Sequence, residues 1–206
     1  MTINNEISIV DKVAYKTPFE IFSKWFDEAI NNPNIIEPTA MCLATVNQQS
    51  QPSSRMILLK KFDERGFCFF TNLTSRKAQE LKINPNVALC LYWGAMGRQV
   101  RIEGVIEPVS DVEADEYFAS RRRESRIGAW ASKQSQAMKN WDEFQSRIEK
   151  YTQDFEDKEV LRPPFWSGFR VIPSAIEFWQ EGDFRIHQRY QYLRSADGWV
   201  INQLYP

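Results

Sequence analysis

The chain has few of the residues that build metal centres and disulfide frameworks. Its 206 residues include one histidine, His187, and three cysteines, Cys42, Cys68 and Cys90. One histidine excludes a site with several histidine ligands. Three cysteines, far apart and in apolar segments, argue against a disulfide framework and a structural zinc site. We therefore expect buried free thiols and no metal.

Neither sign of charge dominates, and no hydrophobic run is long. The 26 basic and 27 acidic residues give a net charge of -1, whereas a dedicated nucleic-acid-binding protein carries a clear basic excess. No segment approaches the about 18 consecutive apolar residues of a membrane span. The first ten residues, MTINNEISIV, have no apolar signal core. We expect a cytoplasmic protein that binds neither nucleic acid nor membranes.

The composition is that of a globular protein, with 43% hydrophobic and 14% aromatic residues. The aromatic residues fit a well-packed core, or a core together with a flat ligand. Residues 1–16 are expected to form a flexible leader, and residues 17–206 a single domain. The patterns GxSxG, GxGxxG and GxxxxGK are absent, so no hydrolase, dinucleotide-binding or P-loop motif is present.

Capping residues and apolar periodicity predict four helices. The first begins after Thr17, where Pro18 and Glu20 complete a capping box, and stops at Asn31-Asn32-Pro33. Others are expected from Thr74-Ser75 to Asn84-Pro85, from Ser110 to about residue 120, and over 135–156, where an aromatic stripe predicts a core face.

Short apolar or alternating runs predict the strands of a largely antiparallel sheet or barrel with helices around it. The predicted strands are 41–46, 55–60, 66–71, 87–93, 99–107, 168–172, 175–180, 184–193 and 199–204. Turns are expected at 63–66, 181–183 and 196–198. The predicted fold class is mainly β with peripheral helices.

Four groups of polar residues are candidates for chemistry. Arg76 and Lys77 stand in a first helical turn, where cations oppose the helix dipole, so a bound phosphate would explain them as well as solvated surface cations would. Arg185, His187 and Arg189 alternate with apolar residues in a predicted strand. They form either an anion-binding wall or a polar solvent face.

The other two groups are weaker. Arg121, Arg122, Arg123 and Arg126 follow a helix end, where basic residues are favourable without any ligand. Arg55 and Lys60 bracket an apolar strand, and their spacing puts them on opposite faces of a regular strand. Together the four groups indicate a domain that binds phosphorylated, flat ligands.

Seven segments occur in the order of the motifs of a known family. They are RMILLK, TNLTSRKAQEL, RQVRIEG, YFASRRRESRIGAWASKQS, FWSGFRVIP, EFWQ and RIHQR. Over roughly residues 18–206 the chain resembles the pyridoxamine 5′-phosphate oxidase family. One departure is Arg122, where the family often has proline.

The resemblance implies an FMN-binding split β-barrel that works as a homodimer, with FMN at the subunit interface. It also implies oxidation of pyridoxine 5′-phosphate or pyridoxamine 5′-phosphate to pyridoxal 5′-phosphate, with O2 reduced to H2O2. Since the flavin accepts the hydride, the protein itself needs no nucleophile. Two alternatives stay open: another flavin oxidase of this fold, of the phenazine-biosynthesis type, and a flavin-binding module without turnover.

The resemblance also implies site residues at the positions that match the motifs. The implied cofactor contacts are Arg55, Met56, Ile57, Leu58, Leu59, Lys60, Phe70, Thr71, Arg76, Lys77, Gln99, Gln134, Ser135, Trp179 and Arg189. The implied substrate contacts are Lys60, Tyr117, Arg121, Ser125, Arg185 and His187. Arg185 and His187 are the expected catalytic residues and flank the substrate ring, and part of the pocket is expected from the second subunit.

Overall fold

The computed structural model describes residues 17–206, and the predicted leader 1–16 lies outside the described residues. Five helices and nine strands follow one another along the chain. They are α1 Pro18–Ile30, β1 Ala40–Val46, β2 Pro52–Leu58, β3 Lys61–Asp63, β4 Gly66–Asn72, α2 Arg76–Ile83, β5 Asn86–Trp93, β6 Arg98–Pro108, α3 Asp111–Ser120, α4 Arg123–Ala131, α5 Trp141–Asp154, β7 Trp166–Gln180, β8 Gln188–Ser195 and β9 Gly198–Leu204.

All nine strands belong to one antiparallel sheet that curls into a half-barrel. The strand order is β2-β1-β5-β6-β7-β4-β3, with β8 paired to β7 and β9 to β8. The 15-residue strand β7 pairs near its start with β4 and near its end with β8. The chain leaves β2 through Leu59, whose N–H donates to the Thr39 carbonyl (2.8 Å), and Lys60, whose N–H donates to the Cys68 carbonyl (2.9 Å). The predicted mainly β, antiparallel class is confirmed.

The main core lies on one face of the sheet and is covered by α1. Alternation in β1 and β5 sends Met41, Leu43 and Leu89 into this core. The ring of Phe22, on α1, packs edge-on against Phe67 with centroids 4.9 Å apart. Much of the aromatic content therefore serves packing.

A smaller apolar cluster forms beneath α3, α4 and α5, around Phe118, Ile127 and Trp166. The helix predicted over 135–156 is shorter, because the Asn140 side chain accepts from the Glu143 N–H (3.0 Å) and caps α5 there. The expected core face is only partly buried. No residue of α5 is fully buried, since this helix covers α4 from outside.

The structure corrects two predicted strands at the carboxyl end. The strand predicted over 184–193 begins only at Gln188, since Asp183–Arg185 forms a helical turn in which Phe184 and Arg185 have φ of 56° and 67°. The sequence predicted that strand alternation places Arg185 and His187 on one sheet face. This prediction is wrong, because both residues precede β8. The strands predicted over 168–172 and 175–180 are one strand, β7, which opposes an irregularity in β6 at Glu103/Gly104.

Further differences lie near the basic runs. The residues after Arg122 form α4, which the sequence analysis missed because the arginines looked like the cap of the preceding helix. The strand predicted over 55–60 ends at Leu58, and β3 follows it unpredicted. All three cysteines are free; Cys68 is buried as predicted, whereas Cys42 and Cys90 are half-buried.

One buried arginine joins strands β3 and β6 to α3. Arg170, on β7, is 1% exposed and contacts Asp63 (3.1 Å), Glu113 (2.6 Å) and Glu107 (3.7 Å). Arg65 contacts Asp63 and Glu113 too, but its side chain is 59% exposed.

We predict that Arg170→Ala lowers the free energy of unfolding by about 1.5–3 kcal/mol, because it removes charge-assisted hydrogen bonds of a buried guanidinium and leaves three partly exposed carboxylates without their shared cation. Urea unfolding measures this. The control is Arg65→Ala, which removes an exposed partner of the same carboxylates and should change little. Similar losses in both variants would contradict the role given to Arg170.

Candidate functional site

A cavity of about 980 Å³ opens beside β2 and β4. Strand β4 forms its floor, and the first residues of α2 and α4 lie at its rim together with the end of α3. The segment after α4 closes one side. Its lining includes Arg55, Met56, Ile57, Leu58, Lys60, Phe70, Thr71, Arg76, Lys77, Tyr117, Arg121, Arg122, Ser125, Gln134, Ser135 and Trp166.

A buried cation without a carboxylate partner marks the start of α2. Lys77 is 7% exposed, and its Nζ donates to Thr71 Oγ1 (3.1 Å), Gln134 Oε1 (3.3 Å) and Ser75 Oγ (3.4 Å). Within residues 17–206 it forms no ion pair with a carboxylate. Burial, and secondarily the nearby Arg55 charge, lower the pKa of Lys77. A buried ammonium that has only neutral partners is a site for an anion.

A second unpaired cation stands just before α4. The guanidinium of Arg121 lies over the rings of Trp166 (5.0 Å) and Phe118 (5.4 Å). Its Nη1 is buried and has no hydrogen-bond partner among the described residues, and burial lowers its pKa. Stacking fixes this cation without neutralising it.

The two helices that begin at the cavity lack side-chain caps. Ser75 before α2 and Arg122 before α4 accept no capping hydrogen bond, whereas Ser110 and Asn140 cap α3 and α5. Uncapped first-turn N–H groups add to the attraction for anions. Each of the two helix starts at the cavity therefore combines uncapped N–H groups with a cation that has no carboxylate partner among residues 17–206.

Three stacked aromatic rings line the same cavity. The ring of Phe70 is parallel to those of Tyr117 (4.1 Å, 21°) and Trp166 (5.5 Å, 8°). Gly168 permits this arrangement, because a Cβ there would stand 2.6 Å from the Phe70 ring. Burial raises the pKa of Tyr117, so its hydroxyl stays neutral. The stack gives the cavity an apolar side whose rings hold one another in place.

A buried carboxylate joins two arginines of the cavity. Glu80, on α2, is 5% exposed and accepts from Arg76 Nε (2.8 Å) and Arg55 Nη2 (3.2 Å). Thr45 Oγ1 (2.5 Å) and Ser53 Oγ (2.8 Å) donate to the same carboxylate. Burial alone would raise the pKa of Glu80, but the hydrogen bonds and the Arg76 charge hold it at about 2.

Most of the site residues predicted from the sequence line this one cavity. The end of β2 at Leu58 explains how Arg55 and Lys60 both reach it, which a regular strand would not allow. Leu59 is the exception within its segment: its side chain is 3% exposed and lies in the core.

The remaining predicted residues lie elsewhere. Gln99, Trp179 and Arg189 face one another in register across β6, β7 and β8, and the His187 ring lies 4.6 Å from that of Trp179. Arg185 and His187 line a separate, shallow cavity in the loop before β8. Trp166 and Trp179 stand near opposite ends of β7, so at about 3.3 Å per residue roughly 40 Å of strand separates this group from the first cavity.

The sequence analysis missed three residues that hold predicted ones in place. Glu80 was detectable as the i+4 partner of Arg76. Glu177, 7% exposed, binds Arg189 through two contacts (2.8 and 3.1 Å), but its partner lies on the next strand and no spacing reveals it. Trp166 belongs to the segment FWSGFRVIP, but the resemblance implied no role for it; it packs against Arg121 and Phe70.

Comparison with known proteins decides the family. A family model described as pyridoxamine 5′-phosphate oxidase matches residues 26–154, and one described as the pyridoxine 5′-phosphate oxidase C-terminal dimerisation region matches residues 166–206. The chain belongs to the pyridoxamine 5′-phosphate oxidase family. Among curated relatives, the pyridoxine/pyridoxamine 5′-phosphate oxidase of Anaplasma phagocytophilum is 45% identical, with all of both chains covered.

Solved structures agree on the fold. PhzG of Burkholderia lata, solved with tetrahydrophenazine-1-carboxylic acid, is 29% identical with a TM-score of 0.88, covering 94% of this chain and 95% of that one. A pyridoxamine 5′-phosphate oxidase-related, FMN-binding protein of Nostoc punctiforme is 17% identical with a TM-score of 0.72, covering 92% of this chain and 98% of that one. Within residues 17–206 no helix is long and apolar enough to cross a membrane. The predicted split-barrel fold is confirmed.

The pKa of Glu80 generates a prediction. Because this pKa falls from 4.5 to about 2 on folding, ionised Glu80 contributes stability above about pH 5, and the contribution disappears as the pH falls toward 2. The unfolding free energies of the wild type and Glu80→Gln should differ by on the order of 3 kcal/mol at pH 7 and converge near pH 2. Urea unfolding at a series of pH values checks this, and a difference independent of pH would contradict it.

Proposed function

We propose that this chain oxidises pyridoxine 5′-phosphate or pyridoxamine 5′-phosphate to pyridoxal 5′-phosphate, with FMN as its cofactor. The observation that carries the proposal is the pair of anion sites at the two ends of one aromatic-walled cavity. An enzyme that brings two phosphorylated, planar molecules together needs such a pair. Curated relatives named for this activity match over the whole chain.

The start of α2 fits the phosphate of FMN. Lys77, buried and paired only with neutral groups, supplies a charge that is already desolvated, and the Nη groups of Arg76 have no partner among residues 17–206. Residues of β2 and β4 that line the cavity would then hold the rest of the cofactor, and Gln134, which accepts from Lys77 Nζ (3.3 Å), stands beside its phosphate site. Bound there, FMN would accept a hydride from the substrate and pass electrons to O2.

The start of α4 fits the phosphate of the substrate. Arg121 offers an unpartnered Nη1, and Tyr117 and Ser125 line the same end of the cavity. Lys60 lines the cavity as well. With both phosphates held, these residues would act chiefly by positioning the substrate ring beside the flavin.

The overall reaction balances with O2 as oxidant. Two electrons and two protons leave the C4′ carbinol or aminomethyl group, and O2 takes them up as H2O2. The alcohol becomes the aldehyde directly. The amine becomes an imine, and water hydrolyses it to the aldehyde and ammonia.

We infer that two copies of the chain complete each site. Gln99, Trp179, Arg185, His187 and Arg189 match family motifs but stand far along β7 from the cavity. The family model for the dimerisation region covers residues 166–206, which include all of these residues except Gln99. In a homodimer one protomer would supply the cavity and its partner these side chains.

The two alternatives from the sequence make different predictions. A phenazine-type oxidase has a flavin site but no need for the second anion site at Arg121. A binding module without turnover has no need for both. We therefore favour the B6 substrate over the alternatives.

We predict that purified protein carries FMN without a covalent bond and releases H2O2 stoichiometrically with pyridoxal 5′-phosphate when given pyridoxine 5′-phosphate. Peroxide and aldehyde absorbance are measured together. Unphosphorylated pyridoxine is the control and should react poorly. Protein loaded with FMN that oxidises neither phosphorylated vitamer would contradict the proposed function.

Substitutions at the two proposed anion sites should have different effects, one on flavin binding and the other on substrate turnover. Lys77→Met should weaken FMN binding. Arg121→Ala should leave flavin content intact but lower kcat/KM for pyridoxine 5′-phosphate roughly 10- to 150-fold, since a charged contact is worth about 1.5–3 kcal/mol. Flavin content and kcat/KM are measured on each variant. Loss of flavin from Arg121→Ala with full retention in Lys77→Met would reverse the assignment.

A further inference from the structure

We propose that Glu80 is a positioning residue for the flavin phosphate: it holds Arg76 and the start of α2 in the orientation that binds the phosphate. This inference rests on the proposed FMN site. Glu80 itself is 5% exposed and does not line the cavity, so its effect must pass through the arginines that it binds.

The geometry supports an orienting role for Arg76. Its side chain is 60% exposed, and a contact from Nε to Glu80 Oε1 (2.8 Å) holds the guanidinium against α2. Neither Nη group has a hydrogen-bond partner among residues 17–206, and Arg76 lines the cavity. Without the carboxylate, this long side chain would have many rotamers in solvent, and binding would have to select one of them.

Arg55 plays a different part from Arg76. Its Nη1 donates to Leu43 O (3.2 Å) and Thr45 Oγ1 (2.6 Å), and its Nη2 to Ser53 Oγ (2.5 Å) and Glu80 Oε2 (3.2 Å). Its four Nη hydrogens are therefore used within the protein. Arg55 and Glu80 together tie α2 to β1 and β2, which places the uncapped start of α2 at the cavity.

The charges also agree with this role. Arg55, Arg76 and Lys77 carry three positive charges, and ionised Glu80 reduces the sum to two. A phosphate monoester carries about two negative charges at pH 7. Glu80 thus orders the cations while leaving a net charge that matches the ligand.

The test compares binding of FMN and of riboflavin, which lacks the phosphate, to flavin-free protein by quenching of flavin fluorescence. The dissociation constant of riboflavin divided by that of FMN measures how much the phosphate contributes to binding. Glu80→Gln should reduce this ratio about tenfold, equivalent to about 1.4 kcal/mol, with the riboflavin constant unchanged. In a protein that already carries Arg76→Ala, Glu80 can act only by holding the start of α2. Adding Glu80→Gln to that variant should therefore lower the ratio less than it does in the wild type, so that the two effects are less than additive.

Glu113→Gln is the matched control, because Glu113 also binds a buried arginine, Arg170 (2.6 Å), away from the cavity. It should lower stability but keep the ratio. Equal weakening of FMN and riboflavin by Glu80→Gln, or an unchanged ratio, would overturn the positioning role. A wild-type protein that binds both flavins equally would instead reject the proposed FMN phosphate site.

Discussion

The central physical constraint is that two cations are withdrawn from water without an anion beside them. Lys77 is buried among neutral oxygen atoms, and Arg121 is stacked on aromatic rings with an unpartnered Nη1. Desolvation disfavours both charges. They persist because α2, α4 and the strands beneath them are held by packing elsewhere, and an anion bound beside them would offset their cost.

The protein treats its other arginines differently. Glu80 binds Arg55 and Arg76, Glu177 binds Arg189, and a set of three acidic side chains surrounds Arg170. Carboxylates thus fix the arginines that shape the framework, and they also orient Arg76, whose Nη groups have no partner among residues 17–206. Lys77 and Arg121 are fixed by neutral groups instead, by hydroxyl and amide oxygens or by aromatic rings. This division explains how a chain with a net charge of -1 can carry two strongly cationic sites.

The sequence predicted the framework well where local signals were strong. The capping box at Ser110, the helix after Ser75 and the alternating strands appear within a few residues of their expected bounds.

The elements that were predicted wrongly or missed have local causes. Arg185 adopts a positive φ that no propensity predicts, α4 begins at an arginine instead of a usual cap, and the aromatic stripe of α5 faces only partly inward. For the site, the family motifs predicted the residues that line the large cavity. Two features could not be predicted without the sheet register: the contact of Glu177 with Arg189, and the length of β7 between the cavity and Trp179.

In the proposed enzyme each site takes residues from two chains, and co-expressed heterodimers test this most directly. One chain carries Arg121→Ala and the other Arg185→Ala, and different affinity tags allow the mixed dimer to be purified. Each homodimer should be nearly inactive, because every site has one defect. The heterodimer should recover about half of the wild-type activity, since one of its two sites is then intact. A heterodimer as inactive as both homodimers would show that Arg121 and Arg185 serve the same site from one chain, and would contradict the account.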